Sequence, residues 1–443
     1  MFSLKEVVRP YYLRWLYFPL RPRRRPQAFQ DCWRYPYQRI TDEDARLPRL
    51  PSGLPDLLFY PMTDWHNRVQ RTQHLVRAFA ALGFRCIYLN PHLGREFETT
   101  RLFDRAHRLA ELEKNIFELH IRLPNEPVFH DRLLGPREED TIFSAIRGIL
   151  PLDSPKCERP RVIQILSFPL WTGIARRFRE ESSFPIVYDC HDLLSGFQNI
   201  SREVIASEAA LLNEADLVLF SSQGLADRFR DQARKSLLVR NGVTIAEFQS
   251  RTGLLACPGQ AGRPAPPPAA GYVGALDSWF DTEAVRQAAL QNPQCRFLIA
   301  GRPEYAPVER LSELANVELV GEIPYRHVPE FLARLRVALI PFAITPLTLM
   351  TNPIKLYEYF SLGLPVVSSP LPETQAMGDL VYIGSTPADF AQQVSRALEE
   401  EDASRRARRR EVAARESWAA RAHIVSAEFR NLVPYTRTAP RAP

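Results

Sequence analysis

The chain has 443 residues, of which 45% are hydrophobic, and this length and composition favour two domains with ordinary cores. Its net charge of +6 suits anionic lipid or diphosphate ligands, and because zinc-finger spacing and RNA-recognition motifs are absent we expect no nucleic acid partner. With no signal peptide, no apolar run of about 18 residues and no CxxC pair among six cysteines, the sequence predicts a cytoplasmic protein with reduced thiols.

Residues 1–50 combine aromatic side chains with clustered cations and are not typical of a core segment. An aromatic stretch at residues 10–20 precedes an arginine cluster at residues 21–25. Such a segment suits a membrane interface, with its rings at headgroup depth and its arginines on anionic phosphates. The alternative is an N-terminal arm packed on the protein surface. A peripheral position at the inner face of the cell membrane is therefore one of two open interpretations.

Residues 51–250 alternate short apolar strands with helical stretches. Alternation of this kind predicts right-handed βαβ units and a parallel sheet covered on both faces, as in a Rossmann-like domain. Helices are predicted at residues 69–82, 201–213 and 224–233. The predicted strands are residues 57–60, 84–90, 116–121, 162–166, 186–189 and 217–220.

A proline-rich linker is predicted at residues 251–270, followed by a second Rossmann-like domain at residues 271–400. Residues 401–443 are predicted to form a long, charge-dense helix at 402–430 and a tail. Two such domains facing a cleft would place the site between the carboxyl ends of both sheets. The predicted strands of the second domain are residues 272–273, 295–300, 317–320, 337–341 and 365–368.

The segment from residue 352 to residue 369 carries the strongest functional signal. Asn352 and Pro353 suit the start of a helix, which Gly363 ends. Lys355 lies in the first turn, where a cation opposes the helix dipole, so we expect an anionic ligand beside it. Glu358 is placed to accept hydrogen bonds from a ribose diol, which predicts a nucleotide sugar. The alternative is a solvated Lys–Glu pair, but only five of the 57 basic residues are lysines, which favours a selected position.

Together with residues 272–281, this segment resembles the donor-binding half of retaining GT-B glycosyltransferases, of the type that assembles bacterial surface polysaccharide and cell-wall glycan. The resemblance implies an α/β GT-B fold, with two Rossmann-like domains facing a cleft and a final helix that returns to the first domain. It also implies a donor site at the carboxyl ends of the second domain's strands. The residues expected to bind the donor are Gly274, Arg302, Asn352, Ile354, Lys355, Leu356 and Glu358.

Two positions depart from the pattern of these relatives. Met350 stands where many of them carry a glutamate near the donor sugar. Residues 277–281 stand where they commonly carry an arginine and a lysine for the diphosphate, so Lys355 would carry more of the phosphate charge. These departures keep a non-catalytic nucleotide- or sugar-binding subunit open as an alternative. A sugar-nucleotide epimerase on the same fold is a further alternative.

Two groups of polar residues mark the first domain's side of the expected cleft. His191 and Asp192 follow a predicted strand and are the predicted catalytic residues, which would orient an acceptor hydroxyl or the donor sugar. A capped strand end is the alternative. Arg68, Arg71 and His74 follow the first strand and indicate an anionic acceptor or the diphosphate, with solvated helix charge as the alternative.

These features predict a glycosyltransferase that moves a sugar from a nucleoside diphosphate donor to a hydroxyl of a glycan or lipid-linked acceptor. The resemblance implies retention of anomeric configuration. Because the sequence has no convincing DxD-type metal pair, catalysis is expected to use cations and amides at the diphosphate, without a metal. We expect no cofactor beyond the nucleotide-sugar substrate.

Overall fold

The computed structural model describes residues 47, 53–66, 68–90, 107–121, 123, 130–150, 161–252 and 267–433. These residues form two α/β domains, each built on one sheet. The predicted arm apart from Leu47, most of the predicted linker and the tail beyond residue 433 lie outside the described residues. In the described part of the chain, no helix combines the length and the apolar character that a membrane span requires.

The first domain contains an eight-stranded sheet with strands β1 (Asp56–Tyr60), β2 (Cys86–Leu89), β3 (His107–Glu113), β4 (Ile116–Ile121), β5 (Val162–Leu166), β6 (Ile186–Cys190), β7 (Leu217–Phe220) and β8 (Ser236–Leu238). Their order in the sheet is β3-β4-β2-β1-β5-β6-β7-β8. All neighbours are parallel except β3 and β4, which pair antiparallel. Strands β1, β2 and β4 to β7 are buried along their whole length, because helices cover both faces of the sheet.

The helices of this half are α1 (Arg71–Ala81), α2 (Pro136–Ile149), α3 (Thr172–Ser182), α4 (Arg202–Glu214), α5 (Gln223–Phe229) and α6 (Ile245–Thr252). Serine side chains fix two of their starts. Ser201 accepts a hydrogen bond from the backbone amide of Val204 at the start of α4, and Ser222 accepts one from Leu225 at the start of α5. Helix α6 already packs on the second domain, since Phe248 belongs to that domain's core.

The second domain contains a six-stranded parallel sheet with strands β9 (Ala269–Val273), β10 (Arg296–Ala300), β11 (Val317–Gly321), β12 (Val337–Ile340), β13 (Val366–Ser368) and β14 (Val381–Ile383). Their order is β11-β10-β9-β12-β13-β14. Its helices are α7 (Thr282–Gln291), α8 (Val328–Leu332), α9 (Pro346–Leu349), α10 (Ile354–Ser361), α11 (Pro372–Gln375), α12 (Pro387–Leu398), α13 (Ala403–Arg415) and α14 (Trp418–Leu432). The site of interest therefore lies on α10, between β12 and β13.

Three described strands, β3, β8 and β14, are absent from the sequence prediction. All three are edge strands, and β8 and β14 contain only three residues each. Edge strands are less apolar than inner strands, so their sequence pattern is weak. Because β3 is antiparallel, the first sheet is not fully parallel as predicted. The helix predicted at residues 224–233 also ends early, at Phe229, where a 3-10 turn follows.

The charge-dense segment predicted as one helix at residues 402–430 is broken into α13 and α14. At the break, the Val243 amide donates to the backbone oxygen of Glu416 at 3.1 Å, and the Trp418 amide donates to that of Val243 at 3.2 Å. A Cβ on Gly242 would lie 2.5 Å from the Glu416 oxygen, so the crossing requires glycine. The two segments that connect the domains therefore hold each other by backbone hydrogen bonds.

Helix α14 returns to the first domain and packs on α1. Phe429 stacks on Phe79 with ring centroids 5.3 Å apart, and Trp418 stacks on His74 at 4.9 Å with nearly parallel rings. Both Phe429 and Trp418 are buried. The last helix thus joins the two domains through an apolar contact.

The carboxyl ends of the two sheets face each other. Arg68, in the loop after β1, donates to Glu322 beyond β11 at 2.8 Å and to Glu304 beyond β10 at 3.0 Å. These ion pairs cross from one domain to the other at the mouth between them. The cleft therefore lies where the loops after the parallel strands meet, which is the usual ligand position in such folds.

Candidate active site

The loop after β9 lies close to the first turn of α10 at Gly274. A Cβ on Gly274 would lie 2.7 Å from Tyr272 Oη and 3.1 Å from Lys355 Cε, which leaves no room for a larger residue. Gly301, which follows β10, is equally restricted, because a Cβ there would lie 2.0 Å from the backbone oxygen of Gly274. Two neighbouring strands are thus followed by glycines, so backbone without side chains lies beside the Lys355 side chain.

Lys355 presents its ammonium to this backbone in a partly buried position. Its Nζ lies 5.2 Å from the centroid of the Tyr272 ring and 5.3 Å from that of Phe342. Burial lowers the pKa of Lys355 to about 8, although the charge of Glu358 opposes this shift. No described residue accepts a hydrogen bond from Nζ. A cation surrounded by aromatic rings and lacking an acceptor is suited to bind an anion.

Glu358 lies one turn further along α10 and is 6% exposed. Tyr325 donates its hydroxyl to Glu358 Oε1 at 2.9 Å, while no described residue donates to Oε2. Burial raises the pKa of Glu358 to about 7, against the opposing effects of Tyr325 and Lys355. Its second oxygen can therefore still accept a hydrogen bond from a ligand hydroxyl.

Three predicted donor-binding residues, Asn352, Ile354 and Leu356, have other partners in the structure. Asn352 is 2% exposed, and both its side-chain polar atoms are bonded to protein groups. Ile354 packs on the apolar cluster of the first domain that includes Trp418. Leu356 is fully buried, and its amide donates to the backbone oxygen of Pro353. The structure therefore turns all three side chains toward protein, because the helix start is also part of the domain junction.

Arg302 follows Gly301 and is exposed, with no ion pair to a described residue. Its position at the end of β10 matches the position expected of a phosphate contact. Arg302 therefore presents a guanidinium, unpaired among the described residues, on the same sheet edge as Gly274 and Lys355. Its predicted contact with a phosphate stays a prediction.

His191 and Asp192 lie at the carboxyl end of β6, on the first domain's side of the cleft. His191 Nδ1 donates to the backbone oxygen of Asp189 at 3.0 Å, and its Nε2 lies 3.6 Å from Asp192 Oδ2. Burial raises the pKa of Asp192, and the charges of His191 and Arg71 only partly offset this effect. Both side chains remain partly exposed, so a substrate can reach them.

The predicted anion contacts of Arg71 and His74 do not agree with their burial. Arg71 is 2% exposed and bonds to Asp189 at 2.9 Å and to Asn241 Oδ1 at 2.9 Å. His74 is 2% exposed, and burial lowers its pKa to about 3, so its ring is neutral at physiological pH. Arg71 is held against the end of β6 by these bonds, and His74 is covered by Trp418 of α14. Of the three residues, only Arg68 lies at the cleft, where it is paired with acids.

Glu373, at the start of α11, is a residue that sequence reasoning missed. It accepts hydrogen bonds from the Gln223 amide at 2.7 Å, from Arg240 Nε at 2.7 Å and from Asn352 Nδ2 at 2.9 Å. Gln223 and Arg240 belong to the first domain, so this buried carboxylate joins the two domains. The available signal was an acidic residue shortly after an apolar strand at the cleft edge.

The two departures from the family pattern have structural partners. The backbone oxygen of Met350 accepts a hydrogen bond from Ser222 Oγ at 2.6 Å, and its side chain packs on the core of the first domain. Asp281 caps α7 by accepting from the Ala284 amide at 2.9 Å. Trp279 contacts both cores. These positions therefore hold the domains and the loop in place.

Known proteins share features of this sequence and fold. Residues 268–400 match the family described as Glycosyl transferases group 1. The second domain is therefore similar to the group 1 glycosyltransferase domain. The chain is also 28% identical over 285 residues to TuaH of Bacillus subtilis (strain 168), which is named provisionally as a teichuronic acid biosynthesis glycosyltransferase. That match covers 57% of this chain and 66% of TuaH.

Two solved structures share the arrangement of both domains. Sucrose-phosphate synthase from Thermosynechococcus elongatus has a TM-score of 0.63 and 18% identity, and the match covers 85% of this chain and 98% of that one. Anabaena Alr3699/HepE, solved with UDP and glucose, has a TM-score of 0.59 and 14% identity over 85% of this chain and 99% of that one. At such identities the likeness shows the fold. The predicted GT-B fold and the predicted glycosyltransferase class are confirmed.

Proposed function

We propose that this chain transfers a sugar from a nucleoside diphosphate donor to a hydroxyl of a glycan or lipid-linked acceptor. The observation that carries the proposal is the pair formed by Lys355 and Glu358 on α10. Lys355 presents an ammonium beside the bare backbone at Gly274, and Glu358 presents its carboxylate oxygen Oε2. Among the described residues, the ammonium has no acceptor and this oxygen has no donor. A ligand with an anion and a diol about one helical turn apart would bind both side chains, the anion at Lys355 and the diol at Glu358.

Lys355 would stabilise the leaving group. Departure of the nucleoside diphosphate creates negative charge on the β-phosphate, and a fixed cation there lowers the barrier most when the site is partly desolvated. An approaching diphosphate would raise the lowered pKa of Lys355 and keep the ammonium charged. Arg302, exposed at the end of the neighbouring strand, is the second candidate for a phosphate contact.

Glu358 would bind the ribose. Its Oε1 is held by Tyr325, which orients the carboxylate and leaves Oε2 for the ligand. Hydrogen bonds to a carboxylate contribute about 1.5 to 3 kcal/mol each, so this contact has a large effect on donor affinity. The related HepE structure with UDP and glucose supports a uridine diphosphate sugar as the first donor to test.

His191 would act on the opposite side of the cleft. Its Nδ1 proton is directed to the Asp189 backbone, which leaves the Nε2 lone pair available to accept a hydrogen bond from a sugar hydroxyl. Asp192 would assist by holding the same hydroxyl. We infer retention of configuration and independence of a metal at the diphosphate from the resemblance to retaining GT-B enzymes.

A nucleotide screen followed by turnover tests the proposal. Thermal unfolding is measured with UDP, GDP and ADP, because a ligand that binds the native state raises Tm by mass action. The matching donor sugars are then tested for hydrolysis and for transfer to glycan acceptors. We expect one nucleotide to raise Tm in the wild type but much less in Glu358→Ala. No Tm rise with any nucleotide would contradict the proposal.

A non-catalytic nucleotide-binding subunit is the second candidate. The specific observation in its favour is that Met350, at the position of a common catalytic-site glutamate, packs into the domain junction. Both candidates predict nucleotide binding, whereas only the first predicts donor turnover. Turnover that disappears in Lys355→Ala while the protein still binds nucleoside would decide for the enzyme.

The name of TuaH supports a role in the biosynthesis of cell-envelope polysaccharide. A lipid-linked acceptor would lie at a membrane, so we also propose a peripheral cytoplasmic location that depends on residues 1–25. Seven of these residues are basic. The protein should then sediment with anionic vesicles at low salt and be released as salt is added. Failure to sediment at low salt would remove the membrane role and leave the transferase proposal intact.

A further inference from the structure

A second polar cluster lies in the first domain, away from Lys355 and Glu358. It consists of His66, from the loop after β1, and of Glu118 and His120 on β4. Glu118 and His120 are two residues apart on a strand and so lie on the same face. All three side chains are buried, with exposed fractions of 5%, 0% and 6%. Three separated ligand-type residues thus meet in the interior.

The three ligand-type atoms of the cluster lie at hydrogen-bonding distances, close to the spacing of a ligand set. His66 Nε2 and His120 Nε2 each lie 2.8 Å from Glu118 Oε2, and the three atoms lie within 4.8 Å of one another. A tetrahedral zinc ion with bonds of 2.0 to 2.2 Å would need these atoms about 3.3 Å apart. An opening of about half an ångström would therefore admit the ion.

The cluster is joined by hydrogen bonds whose protons a divalent cation would replace. Asn90 Nδ2 donates to Glu118 Oε1 at 2.7 Å, and both imidazoles lie within hydrogen-bonding distance of Oε2. With a proton on each Nε2, both rings donate to this one oxygen. When both Nε2 atoms are deprotonated, their lone pairs and Oε2 lie together, and a cation takes the place of the two protons.

We propose that His66, Glu118 and His120 bind a Zn²⁺ ion, with Asn90 orienting the carboxylate from outside the ligand set. Two imidazoles and one carboxylate are a known zinc donor set, and zinc prefers such borderline ligands to the all-oxygen sites of Mg²⁺. The charge of the ion compensates the buried carboxylate. This site is distinct from the diphosphate position, where no metal is expected.

The ion would fix the loop that carries the domain contact. Asp64 Oδ1 accepts from the His66 amide at 2.8 Å, and Gln73 Nε2 donates to the backbone oxygens of Asp64 and Arg68, both at 3.0 Å. The loop is thus already tied to α1, and the zinc would tie it to β4 as well. Arg68 at its end forms the ion pairs with Glu304 and Glu322. Zinc binding would therefore stabilise the relative orientation of the two domains.

Metal content measured on the tag-free full-length chain tests this proposal. Protein stripped with a chelator is incubated with Zn²⁺ and dialysed, and bound metal is determined by mass spectrometry. We expect about one zinc per chain and a Tm rise of about 5 °C when free zinc is a hundredfold above its Kd. Glu118→Gln, which keeps the shape of the side chain, should lower zinc affinity at least about tenfold.

His423→Ala is the matched control, because His423 is exposed on α14 and far in sequence from the cluster. It should keep full zinc content. Since the Glu118 variant can fail to fold, Co²⁺ is also titrated into the wild type, where a tetrahedral site gives strong visible ligand-field bands. Absence of both retained zinc and these bands in the wild type would overturn the proposal, as would equal zinc loss in His423→Ala.

Discussion

Replacing Glu358 by glutamine is expected to stabilise the protein at alkaline pH while weakening nucleotide binding. The carboxyl group is 6% exposed, and burial raises its pKa to about 7 from 4.5. Because the folded pKa lies above the unfolded one, the native state holds the extra proton between these values, and stability falls as pH rises through this window. The difference corresponds to about 3 kcal/mol lost above pH 7.

The assay is thermal unfolding of wild type and Glu358→Gln at two pH values. Glutamine has the shape of the protonated acid but cannot ionise, so the cost disappears in the variant. At pH 8 we expect the variant's Tm to be about 5 °C above that of the wild type, and at pH 5 the difference should shrink to about 1 or 2 °C. Calorimetric titration at pH 8 should show at least about tenfold weaker binding of the nucleoside diphosphate.

Glu318→Gln is the control, since Glu318 is an exposed acid of the same domain that pairs with Arg296 at the surface. It should change neither the pH dependence of Tm nor nucleotide affinity, because exposed ion pairs contribute little. If Glu358→Gln shows the same Tm difference at both pH values, Glu358 is not the group that titrates. Unchanged affinity would remove it from the ribose site.

Three further predictions concern the cleft and the junction. Lys355→Ala should lower kcat at least about tenfold, because one charged contact to the leaving group is lost. Lys355→Arg should restore kcat only in part, because a planar guanidinium does not replace a compact ammonium. Gly274→Ala should weaken donor binding, measured by calorimetry, since its Cβ would lie 2.7 Å from Tyr272 Oη. Glu373→Gln should lower the free energy of unfolding by about 2 kcal/mol in urea titration, because it leaves Arg240 without its carboxylate partner; unchanged stability would contradict the junction role.

The local sequence pattern was sufficient to predict the inner strands of both sheets and the start of helix α10. The inner strands of both sheets, such as β5 and β12, are short apolar runs between helices, and burial on both faces is what makes them recognisable. The start of α10 was also readable within one residue, since proline precedes it and Gly363, with φ of +74°, ends it. The lysine in its first turn is the basis on which the sequence predicts a ligand, and this stays a prediction.

Which residues distant in sequence contact each other was decided only by the tertiary structure. Asn352 was predicted to serve a ligand, yet Asn241, from another domain, bonds to it through both backbone and side chain. Arg71 and His74 look like exposed helix charge, yet Arg71 pairs with a buried aspartate of β6 and α14 covers His74. The cluster of His66, Glu118 and His120 has no motif spacing at all. Burial and hydrogen-bond partners depend on which distant segments meet, and neither the period of a helix nor that of a strand carries this information.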